Sequence, residues 1–225
     1  AHAKDRGKFV YDLPKNVTEI HEVFLDDAAK MKSKSRLKYH FTSGEKDALK
    51  QLMECAHPNW EILFELFQTK KISPMEFLTS DIFLELLTEL CVEKYPYAAF
   101  AESFHTMRSM LLPLFYLLSQ EVPAADAYHS ISTGYGGWLA SLGSWRYDKP
   151  LLLSEHGIYT REREEELIRA KWVASTFKKQ WIQLFYMLSD LIYQRAFRGT
   201  CLFENAKKAQ REIGRDAEKC LVIEN

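Results

Sequence analysis

Two stretches of this chain end a strand-like run in a histidine and follow it with glycine and the start of a helix. They are Tyr128-His129-Ser130-Ile131-Ser132-Thr133-Gly134-Tyr135-Gly136-Gly137 and Ser154-Glu155-His156-Gly157-Ile158-Tyr159-Thr160-Arg161. Open α/β sheets bind ligands at the carboxyl ends of their strands, so His129, His156 and Gly157 are candidate site residues. Neighbouring parallel strands would bring both histidines to one rim. Gly134, Gly136 and Gly137 lack the Cβ that would hold a ligand off the backbone, and a helix starting there turns free N–H groups and a positive dipole end toward it. That combination suits a phosphate, a carboxylate or sugar hydroxyls. Arg161 can grip a phosphate with two parallel hydrogen bonds, whereas Arg163 is expected to pair on the helix surface with Glu164, Glu165 and Glu166. His129 has a second reading, since a strand-end imidazole also simply hydrogen-bonds a neighbouring loop. The spacing matches neither Gly-x-Gly-x-x-Gly nor a phosphate loop with its lysine, and no Gly-x-Ser-x-Gly elbow is present.

These residues need a sheet to hold them. After Pro123 the chain alternates short apolar runs with helical ones, the signature of an α/β fold with a parallel sheet. Strands are expected over residues 126–131, 150–155, 199–203 and 220–223, with helices over 134–146 and 205–213 and a long helix carrying Phe177, Trp181, Leu184, Leu188 and Ile192. Leu151, Leu152 and Leu153 read as a strand covered on both faces. Residues 42–120 are helical instead. Thr42-Ser43-Gly44-Glu45 is a capping box, a second helix restarts at Pro58, and a third starts at Ser73 with the stripe Leu78, Ile82, Leu86, Leu90. A fourth carries Phe100, Phe104, Met107, Leu111, Leu114 and Leu118, spaced as a core-facing stripe. Before residue 42, strands are expected at residues 9–11 and 17–25, and the basic residues 30–38 read as a solvated linker.

Composition narrows the classes. The 225 residues, 47% of them apolar, with 14 Phe, 11 Tyr and 5 Trp, suffice for a substantial core. A net charge of -1 gives no general attraction to nucleic acid or to an anionic membrane. Cys55, Cys91, Cys201 and Cys220 form no Cys-x-x-Cys pair, so free thiols in a reducing compartment are expected rather than a zinc site or a disulfide framework. The longest apolar run, residues 110–118, is too short to span a bilayer. The first residues lack the apolar core of a signal peptide and a starting Met, so the chain is expected to begin inside a longer protein.

The two histidine stretches, the run Glu155-His156-Gly157-Ile158-Tyr159-Thr160-Arg161-Glu162-Arg163, and the closing Leu202-Phe203-Glu204-Asn205 and Lys219-Cys220-Leu221-Val222-Ile223-Glu224-Asn225 resemble the PelF-type glycosyltransferases of Pel exopolysaccharide synthesis, in the retaining family-four group. The likeness is dense from about residue 100 onward. It implies a GT-B architecture of two facing Rossmann-like halves. This chain would supply the amino-terminal, acceptor-side half over residues 1–225, with a helical insertion at about 42–120, and the carboxy-terminal nucleotide-sugar-binding half would be absent. It implies a cytoplasmic transferase moving a sugar from UDP-glucose to a polysaccharide acceptor, with no metal and no cofactor besides the donor. The missing half and membrane-bound Pel synthesis proteins would be partners, and nucleic acid would not. His156 aligns with the family's histidine beside the donor sugar, a catalytic position. Substrate contacts are implied for His129, Thr133, Gly134, Tyr135, Gly136, Gly157, Tyr159 and Arg161. The glycine-rich loop that follows the family's first strand has no counterpart here, which also disfavours a dehydrogenase. A second class of function is a non-catalytic docking module acting through the helical insertion.

Overall fold

Short apolar stripes, most of them opened by a side-chain cap, build the helical layer. The computed structural model describes residues 3–10 and 12–224, and its first helices are α1 Ser43–Met53, α2 Trp60–Gln68, α3 Pro74–Leu78, α4 Asp81–Lys94 and α5 Phe100–Leu118. The capping box of α1 is complete: Thr42 Oγ1 accepts from the Glu45 N–H, and the Glu45 carboxylate accepts from the Thr42 N–H. Asn59, not Pro58, opens α2, because its side-chain carbonyl accepts from the Ile62 N–H. The single helix expected from Ser73 is broken into α3 and α4. Ser80 caps Phe83, and the Thr79 hydroxyl turns back to the Met75 carbonyl, side-chain bonds that compete with a continuous helix. In α5 the stripe is buried from Met107 onward, but Phe100, at the free first turn, is 46% exposed.

The second layer follows as β1 Tyr128–Ser130, α6 Tyr135–Tyr147, β2 Leu151–Glu155, α7 Tyr159–Arg169, α8 Lys178–Arg195, β3 Ala196–Cys201, α9 Glu204–Ile213 and β4 Cys220–Val222. All pairings are parallel, in the order β1-β2-β3-β4. This is the expected α/β class, a Rossmann-like parallel sheet flanked by helices. An order that steps steadily one way, joined by right-handed crossovers, stacks the connecting helices on a single side. Leu151, Leu153 and Glu155 accordingly face the core, while Leu152 is 39% exposed, so the expectation that β2 is covered on both faces is not met among the described residues. The bare face carries His129, Leu152, Arg198 and Leu221.

Neither early strand is present among the described residues. Residues 17–24 have no regular structure and Leu25–Lys30 is a 3-10 helix; Phe9 and Val10 lie outside any strand, and Tyr11 is not among the described residues. Among the described residues no strand pairs with these segments, and alternation without a ladder leaves Val17 and Ile20 exposed. The segment is pinned by Phe24 and Ala28, both buried. Of the basic residues 30–38, Lys30 ends that 3-10 helix and 31–38 are irregular, with Arg36 paired to Asp81 and Leu37 packed against the core.

One continuous core runs from Ala48 to Ala196, so the helices over 42–120 are fused to the sheet layer. Trp60 meets Trp138 edge-on at 5.2 Å, and Phe64 meets Trp145 at 5.4 Å. The buried Gln180 adds a polar tie, donating to the Met53 carbonyl at 2.6 Å and accepting from Tyr95 Oη at 2.7 Å. Another buried polar group, Glu45, fastens α1 to the loop after α2. Burial alone would raise its carboxyl, but Lys70, the Thr42 N–H and hydroxyl and the Tyr39 hydroxyl outweigh that and hold it at about 2. A lowered folded value means stabilisation that is present above the ordinary glutamate range and is lost as pH falls toward about 2. Lys70→Met is expected to destabilise the fold at neutral pH, by less than the loss of a fully buried pair because Lys70 is partly solvated. It should also move the acid-unfolding midpoint, followed by circular dichroism, to higher pH. An unmoved midpoint would show that the pair contributes nothing.

Candidate functional site

The rim of the sheet is set by where β2 stops. Glu155 is its last residue, and His156 follows in an exposed turn, with no hydrogen bond among the described residues. His129 is not beside it. The register pairs His129 with Leu152, four residues before His156, which is roughly 13 Å along a strand at about 3.3 Å per residue. His129 lies on the bare face, its Nε2 at 2.9 Å from Ser154 Oγ, and Thr200 Oγ1 donates to the same oxygen at 3.0 Å. The expectation of two histidines on one rim is therefore corrected: β1 ends at Ser130, and the chain needs a further turn before it reaches the rim.

Most of the glycines make room for the protein itself. A Cβ on Gly134 would stand 3.0 Å from the Tyr159 ring; on Gly137, 2.7 Å from both Ile192 Cδ1 and the Ser132 carbonyl; on Gly157, 2.5 Å from Glu162 Oε1. Only Gly136 of this set faces open space. Neither α6 nor α7 has a side-chain cap; Tyr135, Gly136 and Tyr159 keep some exposure at these helix starts, where a positive dipole end favours an anion or hydroxyls, whereas Gly137 and Thr160 are buried. Tyr135 and Tyr159, the first residues of these helices, both pack edge-on against Phe185. Burial pushes Tyr135 up to about 12 and raises Tyr159 as well, in both cases countered by Arg163. The two tyrosines line a cavity of about 320 Å³ with Arg163, Glu166, Trp172 and Trp181.

The arginines lie opposite to expectation. Arg161 points away from the tyrosines to an exposed pair with Glu212 at 3.1 Å. Arg163 lies over the Tyr159 ring at 5.4 Å and pairs with Glu166 at 2.5 Å, at the edge of the cavity. Helical spacing explains this: position 163 is one turn beyond Tyr159 and shares its face, whereas position 161 is turned well away.

Behind the rim sits a buried acid outside the set of candidate site residues. Glu155 is 2% exposed. Its carboxylate accepts from Tyr193 Oη at 2.7 Å, Gln210 Nε2 at 2.8 Å and Thr133 Oγ1 at 3.2 Å, and Ser189 Oγ donates to Thr133 at 2.8 Å. Thr133 is thus a fully buried strut rather than an open ligand contact. Gln210 also accepts from Arg215 Nη1 at 2.6 Å and from Cys220 Sγ at 3.2 Å, and Cys220 lies 3.4 Å from Cys201, both thiols free. Burial raises the Glu155 carboxyl, opposed by Tyr193, Arg215, Thr133 and Gln210. The signal for this residue was present in the inward phase of Leu151, Leu153 and Glu155.

Among the described residues no cluster of histidine, cysteine and carboxylate side chains could hold a metal ion, and no helix is long and apolar enough to cross a membrane. A Rossmann-like domain with two uncapped helix starts at the carboxyl rim of its sheet belongs to the class of folds that bind ligands at strand ends. Over residues 1–218 the chain matches the family described as Domain of unknown function (DUF3492), and it belongs to that family, a domain found in glycosyltransferase-like proteins. No curated protein and no solved structure matches it.

The Glu155 network generates a stability test. Glu155→Ala would strand several buried donors, at about 3 kcal/mol in all, or roughly 6–12 °C in Tm for a chain of this size. Glu155→Gln keeps most partners, because the Thr133 hydroxyl can accept from the new amide. The raised folded value means that the wild type loses stability as pH climbs through it, and Glu155→Gln should lack that decline. Parallel pH–stability curves for the two proteins would contradict the assignment.

Proposed function

We propose that this chain is the acceptor-side half of a retaining glycosyltransferase of the PelF type, working in the cytoplasm and passing a sugar from UDP-glucose to a growing exopolysaccharide. The observation that carries the reading is the pair of uncapped helix starts, at Tyr135 and Tyr159, beside an exposed His156 at the carboxyl end of β2. A retaining transfer needs the departing diphosphate stabilised as its bond to the anomeric carbon breaks, while the acceptor hydroxyl arrives on the same face. Backbone N–H groups and an imidazole, fixed before the reaction, meet that charge without reorganising. In this reading they take the role that a metal ion plays elsewhere, Gly136 admits the donor closest to the backbone, and His156 is the catalytic group. Arg161 would reach a substrate only by releasing Glu212, and His129 serves the bare face of the sheet rather than the transfer. A second half carrying the nucleotide site, and membrane-bound Pel proteins, are the partners this reading requires.

The docking alternative has one observation in its favour. Tyr97 is fully exposed and Val92 71% exposed, near Phe100 where α4 hands over to α5. Against it, the helices share their core with the sheet layer.

In the full-length protein, His156→Ala is expected to lower kcat by about 10²–10³, with KM for UDP-glucose and Tm little changed. Near-normal turnover would contradict the role. Calorimetric titration should show UDP-glucose binding to the full-length protein and weak or no binding to this chain alone, and tight binding by this chain alone would overturn the assignment of halves.

A further inference from the structure

Trp172 sits in the turn between α7 and α8, 71% exposed, yet it is held edge-on against Trp181 with ring centroids 5.6 Å apart. An exposed indole gives up the free energy its burial would supply, and Trp is among the side chains most enriched as anchors at binding surfaces. Three concavities meet at this side chain, two of them large enough for a small ligand. One is the cavity of about 320 Å³ floored by Tyr135, Tyr159 and Phe185; the other, about 600 Å³, is lined by Ile158 and the charged flank of α7. They share Glu166, Ala170 and Trp172, so they adjoin on two flanks of α7 as the two lobes of a groove, with the indole between them. Each volume lies in the range of sites that take small organic ligands, roughly 300–1,000 Å³.

The chemistry of the walls selects the ligand. Aromatic faces offer an apolar, polarisable surface, and guanidinium and carboxylate groups beside them offer planar, two-pronged donors and acceptors. A sugar ring is the complementary object, with C–H bonds on its faces and hydroxyls around its edge. The charges along the groove balance: Arg161, Arg163 and Arg169 stand against Glu162, Glu165 and Glu166. No net field favours a phosphate polymer or an anionic lipid. The Tyr135 and Tyr159 hydroxyls have no hydrogen-bond partner among the described residues, and the residues themselves begin α6 and α7. The groove therefore opens from the same rim that carries His156.

We propose that the groove around Trp172 binds a neutral oligosaccharide, with one sugar ring stacked on the indole and its hydroxyls held by Arg163 and Glu166. The choice of a glycan as occupant rests on the glycosyltransferase reading, since the groove would then lead the acceptor chain toward the rim; the shape and charge of the groove do not depend on it.

The test titrates this chain with cellohexaose, maltohexaose and chitohexaose, following tryptophan fluorescence and confirming by calorimetry. At least one hexasaccharide should bind saturably. Trp172→Ala should weaken that binding by about tenfold or more, as loss of an aromatic anchor does, with an unchanged circular dichroism spectrum and Tm, and Trp172→Phe should restore most of it. Failure of all three sugars to bind at millimolar concentration, or equal binding by Trp172→Ala, would overturn the proposal. The outcomes separate from those of the parent reading. Glycan binding without UDP-glucose-dependent transfer by the full-length protein leaves the groove standing and removes the enzyme; transfer without glycan binding to the groove does the reverse.

Discussion

A carboxylate taken almost wholly out of water at the end of β2 organises this half of the molecule. Burying a charge costs several kcal/mol unless its lone pairs are met, and Glu155 is met from three directions: Thr133 in the turn before α6, Tyr193 on α8 and Gln210 on α9. Each of those elements is thereby fixed against the strand that ends at the rim. Arg215 completes the arrangement, buried over the Tyr193 ring at 5.6 Å. It fits only because residue 199 has no side chain: a Cβ there would stand 1.6 Å from Arg215 Nη2.

From that constraint the rim follows. Thr133 is tied down, so the turn it belongs to delivers Gly134 against the Tyr159 ring and starts α6 without a side-chain cap. Glu155 is tied down, so His156 leaves the sheet at a defined point and α7 starts beside it. The aromatic groove is the outward continuation of the same packing, with Phe185 of α8 supporting both Tyr135 and Tyr159. The rim that carries His156 and the proposed glycan groove are thus two ends of one surface, braced from behind by a single buried acid.

Much of this was legible in the sequence where the signal is local. The capping box at Thr42 and Glu45, the α5 stripe and the run of strands and helices after Pro123 follow from periodicity and cap chemistry. Features that depend on partners were not. Residues 17–25 alternate like a strand, but pairing requires a neighbour that no local pattern reveals. The three leucines of β2 look doubly buried, yet the steady strand order leaves one face bare. Cys201 and Cys220 are distant in sequence and meet only through the pairing of β3 with β4. Arg161 and Arg163 were separable in principle, because only position 163 repeats the helical face of Tyr159; the Arg-Glu-Arg pattern hid it. Glu155 is marked only by its inward phase on β2, beside its more reactive-looking neighbour His156.

The most direct test of the organising role of Glu155 is a carbon-13 NMR titration of its side-chain carboxyl in the intact chain, read together with the backbone amides of Thr133 to Tyr135 and His156 to Tyr159. The account requires a carboxyl that titrates above the ordinary glutamate range, with the rim amides shifting at the same midpoint. A carboxyl with an ordinary midpoint, or rim amides that do not follow it, would contradict the claim that this buried acid holds the site together.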